Sequence, residues 1–147
     1  MTTTIIHPTD FSEEANAAEA EAVRLVRALD GELLLLHVAV EAPLYGETVF
    51  SKDRVSRVYE EQAQWAESQL AERARTLGEA GVTTRWRRCV GIPYEEIVKT
   101  ARREAAAYIV MGTHGRGGLG RFMLGSVADR VVRTATCPVM TVRQASA

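Results

Sequence analysis

Residues 108–127 read Tyr-Ile-Val-Met-Gly-Thr-His-Gly-Arg-Gly-Gly-Leu-Gly-Arg-Phe-Met-Leu-Gly-Ser-Val. Tyr108 to Met111 is a short run of β-formers, and six of the eleven glycines of the chain follow between Gly112 and Gly125. Beyond Ser126, residues Val127, Ala128, Val131, Val132 and Ala135 recur at helical spacing. The glycines therefore join a buried strand to a helix N-terminus. Such a junction suits anions, because unpaired backbone N–H groups and the positive end of the helix dipole face one point, and residues without a Cβ let a phosphate approach the backbone. Arg116 and Arg121 add positive charge to it.

The spacing Gly112-x2-Gly115-x9-Gly125-Ser126 resembles the signature of the universal stress proteins, in the branch that keeps bound ATP. It is not a Walker loop, since the only lysines are Lys52 and Lys99 and neither lies in the glycine stretch. A GxGxxG pattern can also be drawn through Gly115, Gly117 and Gly120, but it lies late in the chain and no acidic residue ends a following strand, so it does not read as a dinucleotide fingerprint.

The 147 residues fit one domain with a sheet covered on both faces. Charged residues make up 25% and the formal net charge is −1, so no global field favours nucleic acid or an anionic membrane. No apolar run approaches the ~20 residues that span a bilayer, and the N-terminus runs straight into Thr-Thr-Ile-Ile without a basic region or cleavage site. A cytoplasmic protein without membrane insertion is expected. Cys89 and Cys137 have no metal-type spacing and are too few for a disulfide framework; both read as small buried residues.

From the N-terminus, Thr3 to His7 reads as a strand stopped by Pro8, and Ala15, Ala18, Ala22, Leu25 and Leu29 mark a helix ending at Asp30-Gly31. Leu33 to Val40 is an apolar run broken only by His37, as in a central parallel strand buried on both faces. Residues 41–51 have no period and read as a loop. Val55, Val58, Tyr59, Ala63, Ala66, Leu70, Ala74 and Leu77 then mark one face of a long helix stopped by Gly78. Val82 to Val90 alternates like a strand but carries Arg85, Arg87 and Arg88, which places it at a sheet edge. Gly91-Ile92-Pro93 opens a helix with proline in its first turn and a core stripe of Ile97, Val98, Ala101 and Ala105. After the glycine stretch a helix runs to about Thr136, and Pro138 to Val142 is a last strand.

Alternating strands and helices mean an α/β fold, a single-domain open parallel sheet of five strands with helices on both faces. In such folds ligands bind beyond the carboxyl ends of the strands, where strand order reverses. That brings Pro8, Thr9 and Asp10 to the glycine stretch. The resemblance implies strand order 3-2-1-4-5 and an adenine nucleotide held there. It places Asp10 near the ribose and metal-phosphate region, and Val38, after the Leu36-His37 pair, on the adenine through its backbone. Met111, Gly112, Gly115, Arg116, Gly117, Arg121, Gly125, Ser126 and Val127 complete the residues expected to bind the nucleotide.

Several of these residues have a plainer reading. Asp10 with Glu13, and Ser126 with Asp129, have the spacing of helix N-caps. Arginines on exposed loops are usually solvated. His7, His37 and His114 form no pair with short fixed spacing, and His37 lies in an apolar run where a neutral imidazole bonded to backbone is the commoner fate, so a metal site is not expected. Mg or Mn arriving on the phosphates of ATP needs few protein ligands.

Three functions remain in view: an ATP-binding regulatory module read by a protein partner, a slow ATPase or phosphotransferase, and a structural stress protein with a vestigial site. The enzyme lacks a lysine for the outer phosphates, paired carboxylates and a nucleophile-base spacing. The vestigial reading conflicts with the intact glycine spacing. The last strand, Val139, Met140, Thr141 and Val142, lacks the charges that protect an edge, which predicts a homodimer through it; the resemblance implies the same.

Overall fold

The computed structural model describes residues 1–40, 52–114 and 124–144. Its elements run β1 (Thr4–Pro8), α1 (Glu13–Leu29), β2 (Glu32–Ala39), α2 (Lys52–Glu79), β3 (Thr84–Val90), α3 (Pro93–Arg103), β4 (Tyr108–Gly112), α4 (Ser126–Thr134) and β5 (Val139–Val142). All strand pairs are parallel, in the order β3-β2-β1-β4-β5, as expected. The arginine-bearing β3 and the uncharged β5 are the two edges.

The period-2 geometry of a strand divides the apolar run of β2 between two cores. Leu34 and Leu36 join Ile6, Ile109 and Met111 beneath α3 and α4, where Ile97, Ala101, Ala128 and Val131 close the layer. Leu33 and Leu35 join Ile5 and Val110 beneath Ala22 and Val26 of α1 and Leu70 and Leu77 of α2. Each of the four leucines is essentially inaccessible, and burying one stabilises the fold by about 2 kcal/mol. An alanine at any of them would open a cavity under two elements at once.

The helix stripes are narrower than their periodicity implies. Leu29, Val58 and Val132 are exposed by 42%, 51% and 46%. Leu29 is the last residue of α1, where the chain turns away through Asp30 in the left-handed conformation. Helix α3 ends at Arg103, so Ala105 lies in a left-handed turn (φ 48°) and Ala106 takes the buried place instead. Cys89 and Cys137 are half-buried rather than buried, packed on the α3/α4 core. Burial pushes both thiols up, which keeps them protonated.

Two contacts are invisible to periodicity. Glu19, buried on the apolar stripe of α1, pairs with Arg73 of α2 through both of its oxygens and ties the two helices together. Arg85 bridges Glu32 and Glu104 at 2.8 and 2.9 Å. Its guanidinium, with help from the Thr4 hydroxyl, holds the Glu32 carboxyl below the usual carboxylate range. At Gly31 a Cβ would stand 2.4 Å from the Thr3 carbonyl oxygen, so the α1–β2 turn passes the start of β1 closely enough to require glycine.

Candidate functional site

β1 stops at Pro8, and the chain reaches α1 through a turn pinned at every residue. The Thr9 N–H donates to the Leu36 carbonyl (2.8 Å), the Phe11 N–H to the Thr9 hydroxyl (3.1 Å) and the Ser12 N–H to Asp10 Oδ1 (3.0 Å). Ser12, and not Asp10, caps α1, with its hydroxyl accepting from the Ala15 N–H. The Asp10 carboxylate is two residues too early for that role and instead forms an Asx turn. Phe11 has φ 65°, uncommon for a bulky side chain. Its ring packs 4.7 Å from that of His37 and 5.1 Å from that of Trp65, which holds the turn in place.

β2 runs past the end of β1, whose last paired residues are Pro8 and Leu36. The Leu36 carbonyl accepts from Thr9 on the β1 side, and the Ala39 carbonyl accepts from Gly91 on the β3 side. By alternation the Val38 peptide faces the β1 side, beyond the last β1 pair. Its side chain packs on the α3/α4 core with Met111.

β4 delivers Met111, Gly112, Thr113 and His114 to the same end of the sheet. The Gly125 N–H donates to the Thr113 carbonyl at 2.6 Å, so the two ends of the glycine stretch are joined at its base. Gly125 is the N-cap of α4, extended at φ −60° and ψ 160°, and Ser126 is the first helical residue rather than the cap. Glycine offers no side-chain oxygen to the N–H groups of the first turn, and among the described residues no side chain caps them. These donors and the dipole of α4 stand beside Thr113. α3 also lacks a side-chain cap but begins with Pro93, which removes one donor.

Pro8, Thr9, Asp10, Val38, Met111, Gly112, Gly125, Ser126 and Val127 line one cleft of about 1050 Å³. Gly115, Arg116, Gly117 and Arg121 lie outside the described residues. The site thus takes residues from the ends of three neighbouring strands and the start of α4, at the point where strand order reverses.

The cleft residues that were not picked out as ligand contacts from sequence include Trp65 from α2, Arg88 from β3 and His114. No local signal marks Trp65 or Arg88, because Trp65 lies off the apolar stripe of α2 and an edge-strand arginine has an ordinary structural explanation. All three histidines use Nδ1 locally. In His7 and His37 it donates to the carbonyls of Val110 (2.9 Å) and Thr9 (2.8 Å), the backbone-bonded fate expected of His37. Full burial holds the His7 imidazole below its usual range, so it stays neutral. Among the described residues, no group of three or more His, Cys, Asp or Glu side chains is placed to hold a metal ion, and no helix is long and apolar enough to cross a membrane.

The model of the universal stress protein family matches residues 1–143. Universal stress protein MJ0531 of Methanocaldococcus jannaschii is 35% identical over 141 residues, covering 95% of this chain and 81% of that protein. Among solved structures, universal stress protein UspA from Lactobacillus plantarum matches with a TM-score of 0.83 at 26% identity, over 96% of this chain and 97% of its own. The universal stress protein from Archaeoglobus fulgidus, solved in complex with dAMP, shares the fold at a TM-score of 0.64 and 20% identity, over 96% of this chain and 97% of that one. With a family match over nearly its whole length and the glycine spacing in its strand-to-helix setting, the chain belongs to the universal stress protein family.

Proposed function

We propose that this protein is an ATP-binding regulatory module of the stress response, whose nucleotide occupancy is read by a protein partner through conformation or oligomeric state. The observation that carries the reading is the meeting of the uncapped N-terminus of α4 with the end of β4, through the 2.6 Å bond from Gly125 to Thr113, in a cleft that also holds Asp10 and Val38. A phosphate at the α4 terminus would accept from backbone N–H groups. An adenine at the other end would lie between Val38 and Met111 and pair with the Val38 peptide, with Asp10 toward the ribose between them. Gly115, Arg116, Gly117 and Arg121 are the further phosphate-side residues of this proposal.

Mg or Mn would arrive with ATP and take most of its ligands from phosphate oxygens and water. The module works in the cytoplasm as a homodimer joined along β5. The test is the nucleotide released on acid denaturation of freshly purified protein, together with melting in the presence of Mg-ATP. Bound adenine nucleotide or a raised melting temperature supports the reading. Protein that releases none and melts unchanged overturns it.

A further inference from the structure

The two edges of the sheet differ in chemistry. β5 is uncharged, whereas β3 reads Thr-Arg-Trp-Arg-Arg-Cys-Val and carries three arginines and no acid. Its register against β2 fixes which backbone groups it leaves open. The Leu33 N–H donates to the Thr83 carbonyl at 2.9 Å and the Gly91 N–H to the Ala39 carbonyl at 3.0 Å, so residues 83, 85, 87, 89 and 91 turn their peptides toward β2. Thr84, Trp86, Arg88 and Val90 turn their N–H and C=O groups to the open edge, where no hydrogen bond meets them among the described residues.

Side chains alternate across this edge. Arg85, Arg87 and Cys89 pair in register with Leu34, Leu36 and Val38 and share their face, under α3. Arg85 is neutralised between Glu32 and Glu104. Arg87 has no ion-pair partner among the described residues, and neither has Arg103 in the last turn of α3; both lie within electrostatic reach of the Cys89 thiol. The one acid that acts on this thiol, Glu96, lies against Gly91 at the far end of the strand. Trp86 and Val90 stand on the opposite face, exposed by 40% and 48%. Charges alone keep an edge from pairing with strangers. A half-exposed tryptophan and valine along the same edge add apolar area that such protection does not need.

We propose that the open edge of β3 docks an extended acidic segment of a partner protein, which adds to the sheet as a further strand with carboxylates toward Arg87 and Arg103 and apolar side chains toward Trp86 and Val90. An added strand satisfies a row of alternating N–H and C=O groups. A nucleic acid backbone, whose phosphates only accept, leaves the carbonyls of that row unpaired. A second copy of β3 would set arginines against arginines, and like charges opposite one another on paired strands are destabilising. The arginines that exclude the copy thus select an acidic partner. Arg88 and Val90 also line the cleft, so the docked strand lies beside its wall, but docking does not require an occupied cleft.

The test is fluorescence anisotropy of a labelled peptide that alternates glutamate and valine, titrated with the intact protein in the absence of nucleotide. Three controls accompany it: the same peptide with lysine for glutamate, a fully N-methylated version that keeps the side chains but removes the backbone donors, and a single-stranded oligonucleotide of equal charge. The glutamate peptide should bind, the lysine and N-methylated versions should bind more weakly by about tenfold, and amide exchange at Trp86 and Arg88 should slow in the complex. Arg87→Glu should weaken binding by about tenfold, and Trp86→Ser should weaken it as well. A glutamate peptide that does not bind, an N-methylated peptide or oligonucleotide that binds as tightly, or binding unchanged in Arg87→Glu overturns the proposal. A light-scattering mass of the parent that falls in Arg87→Glu makes the occupant a second copy and overturns it too. Because no nucleotide is present, each of these results leaves the nucleotide reading untouched.

Discussion

His37 donates its Nδ1–H to the Thr9 carbonyl at 2.8 Å, fastening the tip of β2 to the turn after β1. In a parallel ladder continued by one more pair, that carbonyl would accept from the Val38 N–H. The imidazole occupies it instead, so β1 stops while β2 runs on, and the Val38 peptide is left facing the cleft.

Replacing His37 with leucine should therefore loosen the turn at little cost in volume. Loss of this hydrogen bond and of the ring contact with Phe11 should lower stability by about 1–2 kcal/mol, read as a lower urea midpoint at unchanged slope. Nucleotide affinity should fall with it. Unchanged midpoint and affinity would show that the turn holds without His37.

A second expectation concerns pH. His7 is fully buried beside Val110, and desolvation holds its folded-state pKa below the ordinary value of 6.5. The unfolded chain takes up a proton that the folded chain refuses, so stability should be level above neutrality and fall as pH drops below about 6.5. His7→Gln should flatten that slope while lowering stability at pH 7. At lower pH Glu32 adds a second loss: its folded pKa is depressed by Arg85, so its contribution is present above the ordinary value of 4.5 and disappears as pH falls through the folded value. Urea titrations at a series of pH values separate the two.

Nucleotide should raise stability by mass action. At about 100 times its dissociation constant, ATP adds ~2.7 kcal/mol to unfolding, measurable by thermal melting. Gly125 has φ −60°, which any residue adopts, so Gly125→Val should fold. It places a branched side chain at the N-terminus of α4 and should abolish the shift produced by ATP. A variant that is stabilised by ATP as strongly as the parent would move the phosphate site elsewhere.

The dimer prediction can be sharpened by register. Pro138 and Val142 accept from Ile109 of β4 and from Thr113 just beyond it, so residues 138, 140 and 142 turn their peptides inward and Thr141 turns its peptide to the open edge. Thr141→Pro should leave the β4–β5 ladder intact and halve the mass seen by light scattering, if two copies pair along β5. Met140→Pro removes an inward donor and should destabilise the monomer as well. A parent protein that is monomeric with and without ATP would sink this interface.

The sequence by itself determined the element types, their order, the parallel sheet with its arginine-bearing and uncharged edges, and the end of the sheet at which the cleft lies. These follow from local patterns: an apolar run in Leu33 to Val40, stripes at helical spacing, and a glycine stretch between a β-former run and a helix. Only the tertiary structure decided which side chains do the capping and pairing. Asp10 with Glu13 has the spacing of a cap, yet the angle at which the turn leaves β1 gives the cap to Ser12. Ser126 yields its cap position to Gly125 for the same reason. Leu29 and Val58 satisfy a periodic stripe yet stay exposed, because a stripe is buried only where another element covers it. Glu19 meets Arg73, and Glu14 meets His114, across 54 and 100 positions of chain. Periodicity extends over a few turns of one element, whereas an ion pair depends on where two elements cross.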